Sequence, residues 1–171
     1  MLTSGMDDSG KYAVRDRDYD RHRDWLGRQG RALPGAVAAL AALDAEPRAW
    51  QSVLTGNLPE VARIKAQVFG LIPYLDLSTG AYGNGHTDRA DLVKIAQHRA
   101  SERSGDTFDG TNTVLIGDTP HDVAAGTSAG TRVVAVATGK STASELEAAG
   151  ATVVLPDLRD TEAVLRAVFR D

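Results

Sequence analysis

Residues 113–130, TVLIGDTPHDVAAGTSAG, are the stretch from which the fold of this chain can be predicted. A short run of apolar and β-branched residues ends at Gly117, and Pro120 then stands where the first turn of a helix is expected. A buried strand that passes directly into a helix is the repeating unit of a parallel α/β sheet. Ligands of such sheets bind at the carboxyl ends of the strands, so the residues after Gly117 are the first place to look for chemistry.

Two carboxylates occupy that place, Asp118 directly after the strand and Asp122 one helical turn later. Carboxylate oxygens beside a helix N-terminus suit Mg²⁺, which binds oxygen ligands at roughly 2.0–2.1 Å and keeps several waters. Thr119 and Asp122 also match a capping box, which needs no metal. Asp118 favours the metal interpretation, because a carboxylate at the end of a buried strand is costly without a partner.

Strand-like and helix-like segments alternate on both sides of this stretch, which indicates a parallel sheet covered by helices on both faces. The fold class predicted is therefore α/β, with a three-layer α/β/α arrangement. The expected strands are residues 50–55, 75–78, 113–117, 132–138 and 152–155. The expected helices are residues 11–30, 34–46, 58–70, 89–103, 120–128, 141–150 and 161–169.

A second strand-to-helix turn, SVLTGN at 52–57, carries a different chemistry. Thr55 supplies a hydroxyl, Gly56 allows a close approach to the backbone, and Asn57 is placed to cap the helix that begins near Pro59. Free backbone N–H groups at a helix N-terminus bind phosphate oxygens. An ordinary capped turn explains the same residues, so both interpretations stay open at this point.

Composition narrows the classes of partner. The 171 residues carry a net charge of −4 and no cysteine, which excludes disulfides, thiolate metal sites and cysteine nucleophiles. We expect no nucleic-acid partner, because there is no general basic field. The first residues are polar and charged, and no apolar run approaches bilayer length, so we also expect no membrane partner and a cytoplasmic protein.

Three segments together resemble one known family: LPG at 33–35, VLTGN at 53–57 and VLIGDTPHDVAAG at 114–126. They are similar to the haloacid dehalogenase-like (HAD) hydrolase superfamily, and most similar to its phosphoglycolate-phosphatase-like branch with a helical cap. The resemblance implies a Rossmann-like core over residues 33–171, a remnant of the cap over residues 1–32, and Mg²⁺-dependent transfer of a phosphoryl group to an aspartate.

The resemblance also assigns roles to residues. Thr55 and Gly56 would bind the phosphate together with Asn57, and Thr55 would belong to the catalytic groups. Asp118 would ligate Mg²⁺, and Asp122 would hold the geometry of the metal site.

The family uses a basic residue, usually lysine, to neutralise the phosphate and the nucleophile, and two residues compete for that role. Arg89 begins the helix before the Asp118 strand, close to the carboxyl edge of the sheet. Lys94 lies opposite the apolar residues of the same helix, so we expect it to face solvent. We prefer Arg89, and Lys94 stays the alternative.

The nucleophile motif of the family, an apolar strand ending in Asp-x-Asp, has no convincing counterpart. Its nearest imitation is DRDYD at 16–20, whose charge pattern fits a cap helix better. We therefore expect a chain shortened at its N-terminus, lacking the central first strand and inactive alone. The leading function is a Mg²⁺-dependent phosphatase of a small phosphorylated metabolite. The alternatives are a non-catalytic domain that binds phosphate or a partner, and a metal-independent haloacid dehalogenase.

Overall fold

The computed structural model describes residue 23 and residues 31–83, 89–138 and 141–170. The helix expected at 11–30, the DRDYD segment and nearly all of the expected cap remnant lie outside these residues. The division into a cap remnant and a core therefore stays a prediction.

Helices and strands alternate through the described residues. The helices are α1 (Ala36–Asp44), α2 (Pro59–Val68), α3 (Arg89–Ser104), α4 (Pro120–Ser128), α5 (Ala143–Ala148) and α6 (Thr161–Val168). The strands are β1 (Leu54–Thr55), β2 (Ala81–Tyr82), β3 (Val114–Gly117), β4 (Arg132–Val136) and β5 (Val153–Leu155). Two 3₁₀ turns, Ile72–Tyr74 and Leu77–Thr79, lie between α2 and β2.

The strands form two parallel sheets, β1-β2 and β3-β4-β5. In the larger sheet, Ile116 of β3 lies opposite Val134 of β4, which in turn lies opposite Val153 of β5. In the smaller sheet, Leu54 lies opposite Ala81. The predicted α/β class with parallel strands is confirmed, and the described strands make two sheets, as expected for a sheet that lacks its central strand.

Helices cover both faces of the larger sheet, as the apolar strands predicted. On one face, Val133 and Ala135 pack in a cluster with residues of α4 and α5. On the other face, Val136 packs with residues of α1 and α6. Residues 133–136 of β4 are all buried, whereas no residue of β3 is.

The prediction of a strand at residues 75–78 is wrong. Asp76 accepts a hydrogen bond from the Ser78 N–H at 2.9 Å and so begins the 3₁₀ turn Leu77–Thr79. The strand comes a few residues later, at Ala81–Tyr82, inside a glycine-rich segment whose composition is more typical of a flexible connection. The strand expected at 50–55 is regular only at Leu54–Thr55.

The carboxyl ends of both sheets lie on the same edge of the molecule, as the contacts of α3 with the two sheets show. At its start, Arg89 contacts Asp122, which follows β3. Towards its end, Arg99 donates to the Gly80 carbonyl just before β2, and Arg103 lies 2.9 Å from the Asp76 carboxylate. Its first turn therefore lies at the strand ends and its last turns lie at the strand starts.

None of the helices in the described ranges combines the length and the apolar character that crossing a membrane requires.

Candidate functional site

The turn from β3 to α4 is held by a reciprocal capping box. The Thr119 hydroxyl accepts from the Asp122 N–H at 3.2 Å, and Asp122 Oδ2 accepts from the Thr119 hydroxyl at 2.7 Å and from its N–H at 3.2 Å. Gly117 is required beside it, since a Cβ at Gly117 would lie 2.4 Å from the Asp122 Cβ. Sequence and close packing together fix the position of the Asp122 carboxylate.

The other oxygen of Asp122 is engaged from the neighbouring helix. Arg89 Nη1 donates to Asp122 Oδ1, and the side chains of the pair are 42% and 17% exposed. Lys94, on the same helix, is exposed, as its position on the helical wheel predicted. Of the two candidate cations, the structure brings Arg89 to the carboxyl edge of β3 and leaves Lys94 outside it.

Asp118 differs from Asp122 in having no side-chain partner among the described residues. It is half-buried at the end of β3, and its carboxylate makes no hydrogen bond or ion pair with any residue that the structure describes. An uncompensated carboxylate in such a position is costly, and a cation would offset that cost.

The acidic residues fit Mg²⁺ only in part. Asp118 offers free hard oxygens, whereas both oxygens of Asp122 already accept hydrogen bonds. Within residues 31–83, 89–138 and 141–170, no cluster of three acidic or histidine side chains could enclose a metal ion. Because Mg²⁺ commonly binds one or two carboxylates and completes its shell with water and substrate phosphate, Asp118 suffices as one ligand. Asp122 fits the role of positioning group rather than direct ligand.

The second turn lies at the end of β1. The Thr55 hydroxyl accepts from the Asn57 N–H at 3.2 Å and from Asn57 Nδ2 at 2.7 Å. The expectation that Asn57 caps the following helix is wrong: the N-cap of α2 is Leu58, without a side-chain cap bond. The Asn57 amide instead folds the turn around the Thr55 hydroxyl.

Gly56 leaves open space in this turn. A Cβ at Gly56 would meet no atom within 4 Å, and its φ is outside the left-handed region. By contrast, a Cβ at Gly83, on the neighbouring strand end, would lie 2.1 Å from the Gly56 carbonyl oxygen. The protein's own packing therefore does not require glycine at 56, and a ligand can reach the backbone there.

Sequence reasoning missed Lys65, a basic residue that contacts this turn. Lys65 Nζ lies 3.4 Å from Asn57 Oδ1, reaching back from α2 towards the start of that helix. Its spacing of three residues from buried Ala62 was a signal that it is on the protein-facing side of α2. It places a positive charge beside Thr55 and Asn57.

Tyr82 lies opposite Thr55 at the end of β2. Burial raises the pKa of Tyr82, and nearby Asp76 raises it as well, against the opposing effect of Arg99. Its hydroxyl donates to the Leu77 carbonyl at 2.6 Å. These contacts make Tyr82 a structural residue rather than an acid or base of the site.

The two turns together form one kind of ligand site. An open turn lies at the end of β1, and at the end of β3 lies a carboxylate without a partner among the described residues, near the Arg89 guanidinium that contacts Asp122. Such an edge suits a phosphorylated ligand with a divalent cation.

The comparisons with known proteins agree with this class. Residues 88–161 match a family model described as HAD-hydrolase-like. None of the curated proteins matches the sequence.

Solved structures share the fold at low sequence identity. A hydrolase from Pseudomonas syringae is 24% identical with a TM-score of 0.68, covering 93% of this chain and 76% of its own. A structure described as a predicted phosphatase from Clostridium acetobutylicum is 21% identical with a TM-score of 0.66, covering 87% of this chain and 68% of its own. A HAD hydrolase from Entamoeba histolytica is 16% identical with a TM-score of 0.64, covering 91% and 73%.

The resemblance to the HAD-like hydrolases is thus confirmed by the match over residues 88–161 and by the fold that these structures share with the chain. The matched range contains Arg89, Asp118 and Asp122, whereas the turn at 55–57 lies outside it.

Proposed function

We propose that this chain provides the phosphate- and Mg²⁺-binding part of a HAD-like phosphatase that acts on a small phosphorylated metabolite. One observation carries the proposal: the Asp118 carboxylate, which has no partner among the described residues, and the open turn at Gly56 lie on the same edge of the sheets. The similarity to a structure described as a phosphatase supports the choice of phosphate over other anions.

Each residue has a role that follows from its contacts. The Thr55 hydroxyl and the Gly56 and Asn57 N–H groups would donate to phosphate oxygens at the open turn. Arg89 would neutralise part of the phosphate charge, and Asp122 would orient Arg89 through the contact that the two side chains already make. Asp118 would hold Mg²⁺, which when bound would neutralise developing negative charge on the phosphate.

Turnover requires a nucleophile, and the described residues do not offer one. Asp118 is assigned to the cation, and Asp122 is held by Thr119 and Arg89. The Asp16–Asp20 segment lies outside the described residues. Enzymes accelerate phosphate-monoester hydrolysis by up to ~10²¹-fold, which corresponds to a barrier lowered by up to ~28 kcal/mol. A positioned metal supplies only several kcal/mol of that decrease. We therefore propose that the chain as given binds phosphate and turns over almost no substrate.

Calorimetry with inorganic phosphate and Mg²⁺ tests the binding site. We expect Thr55→Val to weaken phosphate binding by about tenfold, because a charge-assisted hydrogen bond is lost, and Thr127→Val, an exposed change on α4, to leave it unchanged. Arg89→Met should weaken binding similarly, whereas Lys94→Met should have no effect. Equal losses in the Arg89 and Lys94 variants would contradict the assignment of the cation.

Assays with p-nitrophenyl phosphate and Mg²⁺ test the absence of turnover. Activity that disappears in Asp16→Asn would show that DRDYD supplies the nucleophile and that the chain is active as given. Binding without turnover would favour the non-catalytic alternative for the isolated chain. Metal-independent release of halide from a haloacid would instead support the dehalogenase alternative, which the free Asp118 carboxylate disfavours. The small-metabolite substrate remains a prediction from the family resemblance, and the expected lack of nucleic-acid and membrane partners remains a prediction from the sequence.

A further inference from the structure

Three side chains are joined by hydrogen bonds at the end of β1, and we call them the Lys65 network. Lys65 Nζ donates to Asn57 Oδ1 at 3.4 Å, and Asn57 Nδ2 donates to the Thr55 hydroxyl oxygen at 2.7 Å. All three residues are partly buried. The network therefore connects the last turn of α2 to the hydroxyl group that is proposed to meet the phosphate.

The chemistry of lysine fixes the direction of the bonds in this network. A lysine ammonium group has donors only, so the end of the Asn57 amide that faces it must be the oxygen. The amide nitrogen, which is a donor, is then the end that faces Thr55. Without Lys65 the amide could turn over, and its oxygen would accept from the Thr55 hydroxyl instead. Lys65 thus selects one of two orientations of the Asn57 amide.

The orientation of the amide decides whether Thr55 offers a proton to a ligand. A hydroxyl group has one proton and two acceptor sites. The Thr55 oxygen accepts from Asn57 Nδ2 and, over a longer distance of 3.2 Å, from the Asn57 N–H. Its proton has no acceptor among the residues that the structure describes. Thr55 can therefore donate outward, whereas the opposite amide orientation would use that proton inside the turn.

The turn has room for a ligand that accepts this proton. A Cβ at Gly56 would meet no atom within 4 Å, so a ligand can approach the backbone beside Thr55. The Asn57 N–H can share its long bond with a ligand oxygen, because three-centre bonds of this kind are common at helix termini. A ligand in this space thus meets a hydroxyl proton and a backbone N–H, which suits the acceptor oxygens of phosphate.

The position of Lys65 on α2 explains how it reaches Asn57. Side chains of a helix lean towards its N-terminus, which is where Asn57 lies. Ala62 and Ala66, on the same side of α2, are buried at 6% and 5% exposure. Arg63, two residues before Lys65, is exposed. The helix therefore carries one cation towards the turn and another towards solvent.

We propose that Lys65 is a positioning residue of the phosphate site, which acts through Asn57 to keep the Thr55 hydroxyl proton directed at the ligand. This role rests on the proposed function, since it requires that phosphate binds at residues 55–57. Lys65 has no contact with the phosphate in this role, which distinguishes it from Arg89.

Calorimetry of the full chain with inorganic phosphate and Mg²⁺ tests the role of Lys65. Lys65→Met removes the donor and should weaken phosphate binding about fivefold, the effect of one hydrogen bond. Lys65→Arg keeps donors on a long side chain and should stay within about twofold of wild type. Arg63→Met removes a positive charge from the exposed side of the same helix and should leave binding unchanged.

A double-mutant cycle with Thr55→Val separates positioning from direct attraction by charge. Valine has no hydroxyl proton to direct, so in this background Lys65→Met should weaken phosphate binding by less than about twofold. Equal losses in the two backgrounds would show that the Lys65 charge acts on the phosphate directly, and this would overturn the proposal.

Asn57→Asp reverses the direction of the bond to Thr55. The carboxylate still accepts from Lys65, but it has no donor and takes the Thr55 proton for itself. We expect at least about tenfold weaker phosphate binding, and a smaller loss in the Thr55→Val background. The added negative charge repels phosphate in both backgrounds, so the difference between them measures the direction of the bond. Equal losses would contradict the proposal.

Nuclear magnetic resonance tests the network without phosphate. Lys65→Met should shift the side-chain amide signals of Asn57 and accelerate their hydrogen exchange, whereas Arg63→Met should leave them unchanged. Unchanged Asn57 signals in the Lys65→Met variant would overturn the proposal. Thermal unfolding checks that each variant folds, and a less stable Lys65→Met variant with wild-type phosphate affinity would show a structural role only, which would also overturn it.

The wild-type protein separates this proposal from the proposed function. If it binds no phosphate, the proposed function fails and the role of Lys65 fails with it. If it binds phosphate and the Lys65→Met variant binds equally well, only the role of Lys65 is wrong.

Discussion

Replacing Asp122 tests the contact that organises the candidate site. Its carboxylate accepts two hydrogen bonds from Thr119 and one from Arg89, and its side chain is only 17% exposed. Hydrogen bonds to a charged group contribute about 1.5–3 kcal/mol, and a helix cap about 1 kcal/mol. Because Thr119 keeps its own bond to the residue-122 N–H, we expect Asp122→Ala to lower the free energy of unfolding by about 2–3 kcal/mol. Asp122→Asn keeps an acceptor for Thr119 and should cost about 1 kcal/mol.

Urea unfolding at pH 7 measures these differences, and a double-mutant cycle with Arg89→Met isolates the ion pair. Since the pair is partly buried, we expect a coupling free energy of about 1 kcal/mol, decreasing with added salt. The second capping box, Thr142 with Glu145, is the matched control, because it has similar geometry without an arginine. Glu145→Ala should therefore destabilise the protein much less than Asp122→Ala. Additive effects of the Asp122→Asn and Arg89→Met changes would refute the pairing and with it the positioning role of Asp122.

Three further predictions follow from single contacts. Gly117→Ala should destabilise the protein by about 1–3 kcal/mol in urea unfolding, because the new Cβ would overlap the Asp122 Cβ; wild-type stability would contradict this packing. Gly56→Ala should leave thermal stability within about 1 kcal/mol of wild type, since space is open there, yet weaken phosphate binding in calorimetry; unchanged binding would place the phosphate elsewhere. Although burial alone would raise the pKa of Asp76, hydrogen bonds from Ser78 and the charge of Arg103 lower it overall. Asp76 thus contributes stability at pH values above its unfolded pKa of about 3.9, and this stability is lost as the pH falls through the lower pKa of the folded state. The difference in unfolding free energy between wild type and Asp76→Asn should therefore shrink between about pH 5 and pH 2. An equal difference at pH 7 and pH 2 would contradict it.

The parts of the fold that sequence predicted well are those determined by neighbouring residues. The helix Pro120–Ser128 begins and ends where expected, because Thr119, Pro120 and the following apolar spacing all act locally. The strands β3 to β5 were also predicted, since their apolar runs are bounded by turn residues. Local chemistry was enough in each case.

Prediction failed where a strand depends on a distant partner. Ala81–Tyr82 is a strand only because it pairs with Leu54–Thr55, and its glycine-rich surroundings gave no sign of this. In the opposite case, LDLS has the alternation of a strand, but Asp76 binds the Ser78 backbone and turns the chain.

The candidate site shows the same division. The sequence correctly predicted that Thr55, Gly56 and Asp118 lie on one edge of the molecule, because the carboxyl ends of parallel strands share an edge. The sequence analysis wrongly predicted that Asn57 caps the next helix, and it missed Lys65. The contacts of both side chains depend on where side chains from different turns meet. The contact of Arg89 with Asp122 spans 33 residues and was not predicted, since the sequence placed Arg89 only near the carboxyl edge of the sheet.

The different surroundings of Asp118 and Asp122 lead to a last prediction about metal binding. Of these two carboxylates, only Asp118 has oxygens that no described residue contacts, so we expect Mg²⁺ to obtain further ligands from water and from the phosphate. Binding of the two ligands should therefore be coupled, and the coupling must be reciprocal: Mg²⁺ strengthens phosphate binding by the factor by which phosphate strengthens Mg²⁺ binding. Calorimetry should show weak Mg²⁺ binding alone and at least about tenfold tighter binding with saturating phosphate. Asp118→Asn should abolish this difference, whereas Asp44→Asn, an exposed change at the end of α1, should preserve it. Equally tight Mg²⁺ binding with and without phosphate would mean that the protein supplies the cation's ligands by itself, and the assignment of a single free carboxylate to the site would then be wrong.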